Sequence, residues 1–327
     1  MLSIVTPAFN EAGNLEALHR LIVETMARLG DSWEWVIVDD HSSDATFEVI
    51  ERMAAADPRV RGIRLARRSG SHAAIACGLR QARGAAAITM AGDLQDPPET
   101  LGRMCERWRS GAQVVWAARR QPAGRGTHAM SAALFYWFMR RVLGMTALPA
   151  RGADYFLVDR VVLDALQHFK ERNVSVLALI VAMGFRQEQI EYDKRPRAAG
   201  RSGWTLPRKI ALALDSVLGF SAAPIRLCSY FGAALIAAGL AVLVYAAIPP
   251  RTGVVLVLGA VVALTGLQLV ALGMVGEYVW RALDEARGRP AYLIEAVAGA
   301  GAVGIDAEAA GQRAVALQPV VVNRTLR

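Results

Sequence analysis

Between Arg226 and Arg251 the chain runs for 24 residues without Asp, Glu, Lys or Arg, and between Arg251 and Glu277 for another 25. A bilayer core of about 30 Å needs about 20 apolar residues in helical form, so each run is long enough to span one. Buried core helices are shorter and keep a polar stripe, whereas Gly232 to Ile248 and Val254 to Val275 are apolar all round. Pro249-Pro250-Arg251-Thr252-Gly253 then reads as the tight turn of a hairpin. It holds one basic residue, against Arg208, Lys209 and Arg226 before the first run and Arg281, Arg287 and Arg289 after the second, which sets both flanks on the cytoplasmic side. The expected location is the inner (cytoplasmic) membrane, multi-pass, with the large amino-terminal part in the cytoplasm.

The opening Leu2 to Pro7 is a short β-type run followed at once by Asn10 and Glu11, which is not the pattern of a signal peptide. With 327 residues and 54% apolar content, disorder and collagen-like structure are excluded. Cys77, Cys105 and Cys228 are odd in number, far apart and without a CxxC spacing, so no disulfide framework or zinc knuckle is encoded. The net charge of +8 comes from 37 basic residues of which only Lys170, Lys194 and Lys209 are lysine, a bias that reflects overall composition more than a ligand. Its arrangement says more: Leu101 to Arg151 holds nine Arg and a single acid, Glu106, and suits an acidic partner. Nucleic acid is not that partner, since it would leave the acid clusters and the apolar hairpin unexplained.

Residues 1–205 alternate short β-rich runs with helical stretches. Leu2 to Thr6, Trp35 to Val38, Val60 to Leu65, Ala86 to Met90 and Val114 to Ala117 read as strands, and Leu15 to Arg28, Thr46 to Ala55, His72 to Ala82 and Glu99 to Arg109 as helices. That order predicts an α/β domain, a Rossmann-like, mostly parallel sheet with helices on both faces. Residues 206–227 repeat apolar side chains at helical spacing (Ile210, Leu214, Val217, Leu218) beside Arg208 and Lys209, as in an amphipathic juxtamembrane helix. Residues 228–280 hold the two spans, 281–298 a cytoplasmic segment, and 299–327 a disordered tail. His128 to Val142 is too short to span and reads either as an interfacial helix or as a buried helix ending in Arg140 and Arg141.

In open α/β sheets ligands bind beyond the carboxyl ends of the strands, at the point where the strand order reverses. The polar clusters fall there: Thr6-Pro7-Ala8-Phe9-Asn10-Glu11 after the first strand, Val38-Asp39-Asp40-His41-Ser42-Ser43-Asp44 after the second, and Met90 through Glu99 after the fourth. There is no GxGxxG and no GxxxxGK[ST], so a glycine loop does not grip phosphate. Asp93, Gln95 and Asp96 are closely spaced oxygens suited to a hard cation, Mg²⁺ or Mn²⁺, bridging phosphates. Asp96, ahead of Pro97-Pro98-Glu99, is equally suited to start the next helix. Asp44 reads as a helix cap and Asp39 as a contact to a base or ribose, while Asp40 is either a second such contact or a solvated turn residue. The five histidines are scattered, which argues against a histidine metal site.

These three motifs, taken together, resemble family 2 glycosyltransferases of the GT-A fold, and within them the polyprenyl-phosphate type. The similarity runs from Leu2 to Ile294 and includes the late hairpin and the closing Gly276-Glu277-Tyr278 and Gly288-Arg289-Pro290. It implies an inverting, metal-dependent transferase that moves a sugar from a UDP- or GDP-linked donor to a polyprenyl (undecaprenyl or dolichyl) phosphate in the membrane. It implies that Pro7, Phe9, Glu11, Asp39 and Asp40 hold the nucleotide, that Asp93 and Gln95 bind Mg²⁺ or Mn²⁺, and that Asp154 acts beside Asp93 on the acceptor side. Three positions depart from the family pattern: Ala91 where an Asp is usual, Phe156 where an Arg is usual and Gly203 where a Lys is usual. Arg151, Arg195, Arg197 and Arg201, with Ser202, lie close in sequence and are the candidates for holding the acceptor phosphate. The competing reading is a non-catalytic nucleotide-sugar-binding membrane scaffold, and a homo-oligomer is compatible with either.

Overall fold

The computed structural model describes residues 1–120, 155–169, 175–194, 254–288 and 290–299, with isolated helical positions between 230 and 241. Asp154, Arg151, Arg195, Arg197, Arg201, Ser202, the 128–142 and 206–227 helices, nearly all of the first span and the 300–327 tail lie outside the described residues.

Eight strands form one sheet in the order β7-β5-β6-β4-β1-β2-β3-β8. β1 (Leu2–Ala8), β2 (Trp33–Asp39), β3 (Val60–Leu65) and β4 (Ala86–Thr89) pair in parallel. β5 (Val114–Arg119) and β7 (Gln187–Tyr192) share their direction, and only β6 (Phe156–Asp159) and β8 (Ile294–Ala298) run against it. The helices are α1 (Leu15–Leu29), α2 (Thr46–Ala56), α3 (Ser71–Gln81), α4 (Thr100–Arg109), α5 (Arg160–His168), α6 (Val176–Ala182) and α7 (Val254–Ala286).

The two faces follow from the two-residue period of the strands. Ile4, Trp35, Ile37 and Ile88 join a core with α1, α2 and α4, while Val5, Val36, Val38 and Ala87 join a second core with α3, α5 and α6. α3 lies so close to the sheet that a Cβ on Gly78 would come within 2.3 Å of Val5 Cγ1 and 3.2 Å of Val38 Cγ2. The mostly parallel α/β architecture is therefore as the alternation predicts. β1 leads to β2 and β3 on one side and the chain then crosses back to place β4 on the other, so the order reverses beside β1.

Five elements are not read from the sequence: the helices α5 and α6 and three strands. β6 and β7 extend the sheet beyond β4, and β8 closes its other edge, so the 281–298 segment is helix to Ala286 and then a strand paired with β3. Among the described residues no helix is long and apolar enough to cross a membrane. The backbone of α7 is continuous for 33 residues, with the side chains at 255, 256, 258, 259, 262, 263, 270, 277, 281, 284 and 285 outside the described set.

Candidate active site

The loops after β1, β2 and β4 meet at the reversal point. Among the described residues just three non-glycines have positive φ, and there is one in each of these loops: Asn10 (58°), His41 (58°) and Leu94 (61°). Such backbone costs about 1–3 kcal/mol per residue and is retained where surrounding contacts enforce it, which is typical of functional loops. Here the enforcing contacts cross between loops. Ser42 Oγ accepts from Asn10 N at 2.9 Å, Asn10 Oδ1 accepts from Ser43 N at 3.0 Å, and Thr46 Oγ1 accepts from Glu11 N at 2.9 Å. Glu11 Oε2 accepts from Asn14 Nδ2 at 2.6 Å, and its Cγ lies 3.4 Å from where a Gly92 Cβ would stand, so the β1 and β4 loops touch.

Asp39 and Asp40 are adjacent but do different work. Asp40 is buried and accepts from Ser69 N at 2.6 Å and Gly70 N at 2.9 Å. Burial raises its pKa, against those two donors and the charge of Arg68. It is therefore not a solvated turn residue; it ties the loop after β3, at Gly70 (φ 94°), to β2. Asp39 is fully buried, its Oδ1 accepts from Ser42 N at 3.0 Å, and its Oδ2 has no hydrogen-bond partner. Arg64 Nε stands 3.8 Å from that oxygen and is itself without a hydrogen bond. A buried carboxylate oxygen without a hydrogen bond costs free energy, and the Arg64 charge 3.8 Å away offsets part of that cost.

The β4 loop divides in the same way. Asp96 is buried, with Oδ2 accepting from Ala91 N at 3.1 Å and Oδ1 accepting from Tyr192 Oη at 2.8 Å beside Lys194 Nζ at 3.3 Å. Both oxygens are engaged, so Asp96 is a brace and neither a metal ligand nor the start of α4, whose cap position is Glu99. Tyr155 helps: its hydroxyl donates to Pro97 O at 3.0 Å and its ring meets Tyr192 edge-on at 5.4 Å. Burial, joined by the nearby Asp96 charge, raises both phenol pKa values and keeps the hydroxyls as donors. Asp93, held in this frame, accepts from Gln95 N at 3.2 Å and is 6% exposed.

Pro7 and Phe9 are half-buried at the end of β1, and the Arg68 guanidinium lies 3.8 Å above the Phe9 ring. Phe156 is fully buried in β6 against Trp116, at 5.1 Å between ring centroids, so the place of the family arginine is core here. Asp44 stands one residue ahead of the α2 cap position, Ala45, and not at it, though its Oδ1 accepts from Thr46 N at 3.0 Å. Burial pushes the Cys77 thiol up to about 12 and Cys105 up to about 11, so neither is a nucleophile at neutral pH. Sequence reasoning missed Arg64, Tyr155, Tyr192 and Lys194.

A parallel sheet with acid-bearing, strained loops at its reversal point is the architecture of an α/β enzyme that binds an anionic ligand at the strand ends. Residues 3–167 match the model of glycosyl transferase family 2. A glycosyltransferase of Bacillus subtilis, YkcC, whose own role is uncharacterized, is 33% identical over 302 residues, covering 90% of this chain and 93% of that protein. The SfII prophage-derived bactoprenol glucosyl transferase of Shigella flexneri is 30% identical over 305 residues, 90% of this chain and 97% of that protein. A Pyrobaculum calidifontis mannosyltransferase solved with GDP-mannose and Mn²⁺ superposes with a TM-score of 0.45 at 18% identity, over 85% of this chain and 87% of that one. The chain belongs to glycosyl transferase family 2 and is a glycosyltransferase.

Proposed function

We propose that the enzyme transfers a sugar, with inversion, from a nucleoside-diphosphate sugar to a polyprenyl phosphate at a membrane surface. The observation that carries this reading is the buried Asp39 Oδ2 without a hydrogen bond, at the end of β2 opposite Ala8 of β1, with the β4 loop that holds Asp93 on the other side of β1. Strands two places apart lie about 10 Å from one another, so a nucleoside held near Asp39 leaves its diphosphate within reach of the β4 loop. The likeness to a bactoprenol glucosyl transferase over 90% of the chain supports the lipid acceptor.

Asp93 and Gln95 would hold Mg²⁺ or Mn²⁺. The two lie in one turn, Gln95 N donating to Asp93 Oδ1 at 3.2 Å, while Asp96 is engaged elsewhere; among the described residues no group of three or more His, Cys, Asp or Glu could hold an ion by itself. One carboxylate and one amide suit an ion that takes its other oxygens from the diphosphate and water. Such an ion would neutralise charge on the departing diphosphate. The acceptor needs little activation, because a phosphate monoester has a second pKa of about 6 and is already an anionic nucleophile. Asp154 would orient it, and Arg151, Arg197, Arg201 and Ser202 are the candidates to hold its phosphate, all of them outside the described residues. In the sequence, the charge-free run 252–276 supports one arm of a membrane hairpin. Val261, Leu269, Leu272, Val275 and Val279 are exposed on α7, and Arg287 lies 5.7 Å from the Trp280 ring, as suits the boundary of such a span.

The test is label transfer from UDP- and GDP-sugars into polyprenyl phosphate by the purified full-length protein in lipid. Label is expected in the organic phase with one donor, and chelation is expected to abolish it. Nucleotide binding without label in lipid would favour a scaffold. Retention of the donor's anomeric configuration, read by NMR on the product, would contradict direct displacement.

A further inference from the structure

The last described strand brings a carboxylate up to Arg64 and His41 from a point 256 residues beyond Asp39. β8 pairs antiparallel with β3, with Leu65 opposite Ile294 and Arg64 opposite Ala296, so Glu295 is the extra residue of a bulge. A bulge turns a side chain away from the direction the ladder would give it. Glu295 Oε2 lies 3.3 Å from Arg64 Nε and 3.4 Å from His41 Nδ1, and His41 is one of the three positive-φ residues. Leu293 O accepts from Ala66 N at 2.8 Å and fixes the approach.

Arg64 thus sits between two carboxylates. Its Nε faces Glu295 at 3.3 Å and Asp39 at 3.8 Å without a hydrogen bond to either, while Nη2 donates to Ser42 O at 3.4 Å. We propose that Glu295 is a positioning residue of the donor pocket: it draws Arg64 off Asp39 and keeps Asp39 Oδ2 open to an N–H of the nucleobase. The inference rests on the donor reading above. Without the Glu295 charge, Arg64 is free to close the last few tenths of an ångström and hydrogen-bond Asp39 Oδ2, occupying the acceptor that the base requires. The ordinary alternative is an ion pair that staples β8 to the sheet edge. At 48% exposure for the Glu295 side chain that staple would add little stability, and it would leave nucleotide affinity untouched.

The experiment is calorimetric titration of UDP and of GDP into the full-length protein in detergent with Mn²⁺. Glu295→Gln is expected to weaken the preferred nucleotide by about tenfold, the size of one hydrogen bond to a charged group. The melting midpoint is expected to hold, and the donor KM to rise with kcat nearly unchanged. Glu295→Asp is expected to restore part of the affinity. In an Arg64→Gln background, Glu295→Gln is expected to have no further effect, because the competing cation is gone. Unchanged affinity in Glu295→Gln, or effects that simply add in the double variant, would overturn the proposal. Failure of the unaltered protein to bind either nucleotide would instead remove the donor reading on which it stands.

Discussion

The two ends of the sheet treat their buried charged side chains differently. At the amino end every named carboxylate is saturated. Glu34 Oε1 accepts from Ser3 Oγ at 2.6 Å and Arg83 N at 2.7 Å, and its Oε2 accepts from Arg61 Nη1 at 2.9 Å, with both members of the pair under a tenth exposed. Asp57 accepts from Arg59 Nε and Nη2 at 2.9 and 2.8 Å and faces His19 Nε2 at 3.0 Å, and His19 stacks on Trp35. Arg160 donates to the carbonyls of Ala82 and Gly84. A Cβ on Gly84 would come within 2.6 Å of Ser3 N, so even the turn there is closed around its contacts. At the carboxyl end, Asp40 and Asp96 are saturated in the same manner, but each braces a loop beside a second acid: Asp39, whose Oδ2 has no hydrogen bond, or Asp93, which accepts from Gln95 N.

The difference assigns the cost of function to one place. Three strained residues and the unpaired Asp39–Arg64 contact lie within loops that the well-satisfied amino end and the two braces hold in shape. Arg80 Nε and Gln167 Oε1 are also buried without partners, at the α3–α5 contact, so the distinction concerns the sheet ends and does not extend to the helical layer.

If that division holds, substitutions at the two ends should separate stability from activity. Arg61→Met at the amino end leaves Glu34 buried without its cation and is expected to cost about 3–5 kcal/mol, read as a lower melting midpoint in detergent, with transfer per folded molecule unchanged. Asp93→Asn is expected to do the reverse, lowering transfer about 100-fold or more, roughly 3 kcal/mol of transition-state stabilisation, at an unaltered midpoint. Asp57→Asn is a smaller effect with a pH signature. The Arg59 hydrogen bonds hold the Asp57 carboxyl down at about 2, below its ordinary 3.8, so its contribution is fully present above pH 4 and is lost as pH falls toward 2. The shift corresponds to about 2 kcal/mol, and the gap in stability between the variant and the natural protein is expected to close over that window. A constant gap down to pH 2.5 would place the stabilisation elsewhere.

The parallel half of the sheet was legible because its signals are local. Five apolar runs gave β1 to β5 and four amphipathic stretches gave α1 to α4, with ends within two residues of those observed. β6 has four residues, β7 is the half-polar Gln-Glu-Gln-Ile-Glu-Tyr, and β8 lies in an Ala- and Val-rich stretch, so none carries a period strong enough to stand out. Asp39 and Asp93 were visible as acids that follow strands. Which acid of each loop is the brace was not visible, since the partners that decide it are distant: Ser69 and Gly70 for Asp40, Tyr192 and Lys194 for Asp96. Arg64 and Glu295 were hidden for a further reason. One is an arginine in an arginine-rich chain, and the other meets it through a bulge that only the sheet register reveals.

Hydrogen–deuterium exchange on the full-length protein, with and without a nucleoside diphosphate and Mn²⁺, tests the central claim most directly, because amide protection reports which end of the sheet the donor occupies. The account predicts protection confined to residues 9–11, 39–46, 66–70 and 91–95, with no change at 57–61 or 82–85. Protection at the amino-end turns, or none at the carboxyl-end loops under conditions where the nucleotide binds, would contradict it.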